Sequence, residues 1–157
     1  MYKGIFLDYF KQISTAISWY IFAQLVFSLA AWFTLHQAAK FKLFMFTSLA
    51  LSILQIGLSV GYLLNHEKSK HSISNKTEFG EEWLTQEKPR IEKLILGYKR
   101  TITIWLFLIA TLCIATLLLN IGRLRYIGFA LIIQLSFTLI MDIYGSVKTQ
   151  LYYHQIK

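Results

Sequence analysis

Four stretches of the chain are almost continuously apolar: residues 13–36, 43–64, 101–120 and 126–147. Each is close to the ~20 residues that a helix needs to cross the hydrocarbon of a bilayer. A lipid-spanning segment must satisfy its own backbone groups, which leaves helices and closed barrels. Unbroken apolar runs lack the in–out alternation of a barrel strand. The pattern therefore predicts an all-α fold, an integral membrane four-transmembrane-helix bundle with a single domain over 1–157. Its helices are placed at 13–36, 43–64, 86–119 and 126–147. Tight connectors at 38–42 and 120–125 make two antiparallel hairpins, with Gly122 placed to terminate the third helix.

The segments outside these runs carry weaker patterns. Ile5, Phe6, Tyr9, Phe10 and Ile13 recur at helical spacing, so residues 1–12 read as an amphipathic lead-in that lies in the interface or extends the first helix. The connector 65–85 is the main extramembrane element, and its Ser- and Lys-rich part, 68–77, reads as a flexible linker. Thr85 is a candidate helix cap and Pro89 fits a first turn. Ile91, Leu94, Ile95 and Tyr98 then run without a breaker into the third helix, giving it a helical extension outside the membrane.

Composition sharpens the picture. The chain has 157 residues, 55% of them hydrophobic, which is too apolar for a soluble domain of this size. The net charge of +8 comes from Lys and Arg confined to helix ends and connectors. That placement suits the lipid bilayer and its anionic headgroups rather than nucleic acid, which would call for a basic stripe interleaved with exposed aromatics. Twelve of the sixteen Lys and Arg lie on the side of the two termini and the long connector. By the positive-inside rule both termini are expected in the cytoplasm, at a bacterial-type inner (plasma) membrane. Asp8 and the length of the first apolar run argue for an uncleaved helix rather than a signal peptide. Trp19, Tyr20, Trp32, Tyr62, Trp105, Tyr126 and Tyr144 lie near helix ends and read as interfacial belts, which Tyr152 and Tyr153 continue. A single cysteine, Cys113, excludes thiol oxidoreductases that work through paired cysteines.

Two polar stripes interrupt the apolar runs. Ser48, Ser52, Gln55, Ser59, Tyr62 and His66 fall on one face of the second helix, and Gln134, Thr138, Asp142 and Ser146 on one face of the fourth. Lipid offers such groups no hydrogen bonds, so both stripes should face protein or trapped water. Depth counted from the flanking cations places Ser18, Ser59, Tyr62 and Asp142 in one layer, with Gln24, Gln55 and Gln134 in a second nearer the midplane. Asp142 is the sharpest candidate, because an acid inside an apolar span costs ~2.5–3.5 kcal/mol on insertion scales. It is expected to be neutral unless Arg100, the candidate ion-pair partner, leans inward. Gly57 and Gly61 offer a small-residue face for close helix approach.

Outside the membrane, Glu81, Glu82, Glu87 and Arg90 read as a solvated helix face and a candidate partner-docking surface. His66 and His71 are five apart, on different helical faces, so no metal site is expected, and no cofactor. The small multidrug transporters keep their acid in the first helix and lack a long central connector, and immunity proteins against pore-forming bacteriocins share only the gross layout. The leading expectation is a non-enzymatic accessory, scaffold or immunity-type subunit acting through helix and connector contacts, as a homo-oligomer or with a membrane-protein partner. The alternative is a small oligomeric channel or proton- or cation-coupled transporter using the Asp142 layer.

Overall fold

The computed structural model of the protein consists of four helices, α1 (Tyr2–Gln37), α2 (Lys42–Lys76), α3 (Glu81–Leu118) and α4 (Gly122–Ile156). The structure describes every residue except 1, 38–40, 77–78 and 119–121, together with the side chains of all but 34–37, 72–73, 75–76 and 122–123 among the rest. The tight connector expected at 38–42 lies mostly outside the described residues. Gly122 opens α4 instead of closing α3.

All four helices are long and apolar enough to cross a membrane. With 35 to 38 residues each, they extend for more than ~50 Å, against a hydrocarbon thickness of ~30 Å. The surplus length gathers at one end, where α1 and α3 begin and α2 and α4 finish. There the lead-in is the first part of α1, and its apolar face packs against protein. Phe6, Tyr9, Phe10, Ile13 and Ile17 form a buried cluster with Trp83, Ile91, Tyr152 and Ile156. Phe6 meets the edge of Trp83, Tyr9 stacks on Tyr152 and Phe10 stacks on His66. Tyr152 is therefore a core residue and not part of a belt.

This end also corrects the reading of 65–85 as a linker. α2 continues to Lys76, and its surplus turns begin with a contact to α1 and bonds within the helix. The Ser14 hydroxyl donates to Glu67 at 2.7 Å, Lys70 pairs with Glu67 one turn away at 3.5 Å, and Ser69 bonds back to the Asn65 carbonyl. α3 starts at Glu81, five residues before the expected start. Glu81 and Glu82 occupy its first turn, where carboxylates complement the helix dipole. Thr85 is thus inside the helix, its hydroxyl donating to the Glu82 carbonyl. Pro89 sits in the third turn, and its missing N–H leaves the Thr85 carbonyl without the usual helical donor.

Further along the bundle the pattern inverts. Gln24, Ser48, Ser52 and Gln134 are almost fully buried, whereas Phe33, Phe107, Leu117 and Leu118 are mostly exposed. α4 is the central helix, packed against α1, α2 and α3, while α3 pairs closely with α4 alone. Two glycines set that last pairing. A Cβ at Gly128 would collide with the Thr116 hydroxyl, and one at Gly145 would lie 2.7–3.0 Å from the Tyr98 ring and hydroxyl. Gly57 and Gly61, the expected small-residue contact, have nothing within 4 Å and face outward. Gly145→Ala is therefore expected to cost ~1–3 kcal/mol by overpacking against a rigid ring. Gly57→Ala and Gly61→Ala should be neutral or slightly stabilising through helix propensity. Unfolding of the detergent-solubilised variants would compare them, and an equal cost at all three positions would contradict the α3–α4 contact.

Candidate functional site

The deepest polar groups form one connected layer across α1, α2 and α4. Gln55 on α2 is its hub. Its carbonyl oxygen accepts from the Tyr20 hydroxyl at 2.8 Å and from the Gln24 amide at 2.7 Å. Its own amide donates to the Thr138 hydroxyl at 3.1 Å and to the Gln134 carbonyl at 3.3 Å. The Gln134 side chain accepts from Gln24 at 3.2 Å and donates to Ser52 at 2.7 Å, with a longer contact to the Ser48 carbonyl. The layer expected around Gln24, Gln55 and Gln134 is therefore assembled, and Thr138 joins it. Tyr20, assigned to a belt by its position, is a buried member of the layer instead. These direct side-chain bonds close the axis between the three helices.

The second expected layer is not assembled as a bonded group. Ser18 is exposed and donates to the Ser14 carbonyl of its own helix. Asp142 turns toward α3, where Trp105 Nε1 donates to its carboxylate at 2.7 Å. Trp105 thus serves an acid inside the bundle instead of standing in a belt. Arg100, the expected cation, is exposed; the salt bridges found among the described residues are Lys70–Glu67 and Arg90–Glu87. Sequence reasoning missed Trp105, although a signal was available. Thr101 and Thr103, the hydroxyl-bearing neighbours of Trp105 on α3, spend their hydroxyls on carbonyls one turn back. The indole N–H is left for the facing helix.

Ser59, Tyr62 and Asp142 do meet in a different sense, as parts of the wall of one cavity of about 850 Å³ lined from all four helices. Such a volume lies within the ~300–1,000 Å³ range of small-molecule sites. Its wall is mainly apolar, with Tyr98 and Trp105 from α3, Tyr20 and Gln55 at its inner limit, and Arg90 and Lys93 at the end nearest the termini. α2 and α3 supply opposite walls without packing closely on each other, and Leu54, Leu58 and Tyr62 of α2 are exposed along its lip. The cavity is therefore open sideways, toward whatever surrounds the bundle.

The acidic face before the third apolar run divides in two. Glu81 and Glu82 are exposed, as a docking surface requires. Glu87 is only 4% exposed, which removes it from that surface. Its carboxylate accepts from Arg90 Nε at 2.7 Å, from Arg90 Nη2 and from the Tyr152 hydroxyl at 3.0 Å. Glu87 and Arg90 are thus a structural pair inside the aromatic end of the bundle. No protein-family model, curated protein or solved structure matches the chain.

Proposed function

We propose that this chain is an integral membrane protein that acts by binding within the bilayer, as a non-enzymatic accessory or scaffold component whose contact surface is the laterally open cavity. The observation that carries the membrane reading is the inverted distribution of residues. Glutamines and serines are buried while phenylalanines and leucines are exposed along the same helices. In water so large an apolar surface would drive association; in lipid it is the solvated face. The closed glutamine layer favours binding over conduction along the bundle axis. The cavity, which opens between helices and not along the axis, supplies the contact surface. The alternative of an oligomeric transporter draws its support from Asp142, whose carboxylate lies on the cavity wall.

Embedding and orientation are tested together. The protein should resist alkaline extraction from membranes, and reporters fused after Lys157 and inserted at Gly80 should both report the cytoplasm. Gly80 is chosen because it lies between α2 and α3, outside both helices. Both reporters on the opposite side would reverse the orientation, and a split result would mean that one hairpin does not cross. The binding role is tested by Ser59→Trp, which fills the cavity from its α2 wall. This variant should keep the fold and the extraction behaviour while losing function in the cell.

A further inference from the structure

We infer that the lateral cavity is a site for an amphiphile bearing an ammonium group, with the cation held by Asp142 and the hydrocarbon tail directed toward the apolar wall. The inference rests on the membrane-embedded binding reading and names the ligand class for the same cavity. Asp142 has one side-chain donor, Trp105, and among the described residues it has no cationic partner. In an apolar cavity a carboxyl with a single hydrogen bond stays ionised only beside a positive charge, so a cation arriving in the cavity gains a partner and supplies one. Tyr62 from the α2 wall and Tyr98 and Trp105 from the α3 wall line the same cavity, and aromatic faces favour alkylammonium ions further. Beyond the acid, Leu51, Leu54, Leu58 and Leu135 provide the surface for a hydrocarbon tail.

The cations at the other end do not reverse this preference. Arg90 is committed to Glu87 by two hydrogen bonds. Lys93 precedes Trp105 by twelve residues on one helix, ~18 Å along its axis, too far to contact a head group held at Asp142. An amphiphilic anion would therefore have to sit at the outer end and leave Asp142 unpaired, and it is the competing occupant to be tested.

The test uses the full-length protein reconstituted in phosphatidylcholine vesicles, with decyltrimethylammonium as the probe and decyl sulfate as the comparison. Saturable binding above lipid partitioning is expected for the ammonium and not for the sulfate. Asp142→Asn should weaken the ammonium at least ~30-fold, the loss typical when one member of a desolvated charge pair is removed. Ser18→Ala, outside the cavity, should leave binding unchanged. A second measurement needs no variant: dicyclohexylcarbodiimide should label Asp142 in the wild-type protein, and decyltrimethylammonium but not decyl sulfate should protect it. Equal affinity in Asp142→Asn, equal or tighter binding of decyl sulfate, absence of saturable binding or absence of protection would each overturn the inference. So would a cavity occupied by a second copy or a partner helix that the ammonium does not displace. Failure of alkaline resistance would instead defeat the membrane reading on which the inference depends.

Discussion

Arg90→Ala is expected to destabilise the bundle by about 1–3 kcal/mol, because it takes two hydrogen bonds from the buried Glu87 carboxylate while the partly exposed Arg90 side leaves room for water. Glu87 is 4% exposed and its carboxylate holds both Arg90 and Tyr152. After the substitution one tyrosine hydroxyl would have to compensate it among Trp83, Ile91 and Tyr152. Replacing both members, as in Glu87→Met with Arg90→Met, should recover most of the loss, because no charge is then left without its partner. Thermal unfolding of the wild type, Glu87→Met, Arg90→Met and the double variant in mild detergent makes a double-mutant cycle. A cost below ~0.5 kcal/mol for Arg90→Ala would mean that Glu87 is hydrated and that this end of the bundle is looser than its aromatic packing implies.

The two ends of the bundle use different physics. Near the termini, aromatic and aliphatic side chains from all four helices are gathered inside, as water demands. Toward the hairpin connectors the apolar side chains point outward, and what holds the helices together is glycine contact and hydrogen bonding. In the proposed bilayer setting, lipid tails are as apolar as leucine, so burial of leucine there would gain little. The cavity spans the change from one regime to the other, from Arg90 and Lys93 at one limit to Gln55 and Thr138 at the other. A site at that level can present charge to a ligand's head and hydrocarbon to its tail.

The helix count and the glutamine layer were legible because both depend on periodicity, which sequence carries directly. Gln24, Gln55 and Gln134 could be set at one depth by counting along helices of known direction. The Asp142 layer failed on azimuth rather than depth. Each step of four residues advances about 40° around a helix, so Asp142 lies about 80° from Gln134 and faces α3 while Gln134 faces α1 and α2. Glycine contacts were illegible for a related reason: a small residue shows where a helix can be approached, and only the partner shows where it is. Gly145 has Tyr98 against it; Gly57 and Gly61 have nothing. Glu87 was misassigned because a charge with an arginine three residues on looks solvated. The signal against that was its place between Trp83 and Ile91 at spacings of four, a stripe that is buried throughout. The extent of α2 was missed because Ser- and Lys-rich sequence has little helical preference of its own, and contacts with α1 decide the outcome.

Gln55→Leu should be the most damaging single change in the inner half of the bundle, at about 2–3 kcal/mol. Gln55 makes four side-chain hydrogen bonds that tie α2 to α1 and α4. Interhelical bonds in lipid average ~0.6 kcal/mol each and reach ~1.7, and leucine of similar size offers none. Gln24→Leu should cost less, since Gln24 contributes only donor contacts to the layer and its own carbonyl oxygen is buried without a partner. Combining Gln24→Leu, Gln55→Leu and Gln134→Leu should cost less than the sum of the three single changes. Groups that lose their partners together leave fewer buried atoms unsatisfied than groups removed one at a time. Unfolding measured in one detergent for the three single variants and the triple would decide it. Additive losses, or a Gln24→Leu cost equal to that of Gln55→Leu, would show that water rather than Gln55 connects these helices, and would reopen a solvated path along the bundle axis.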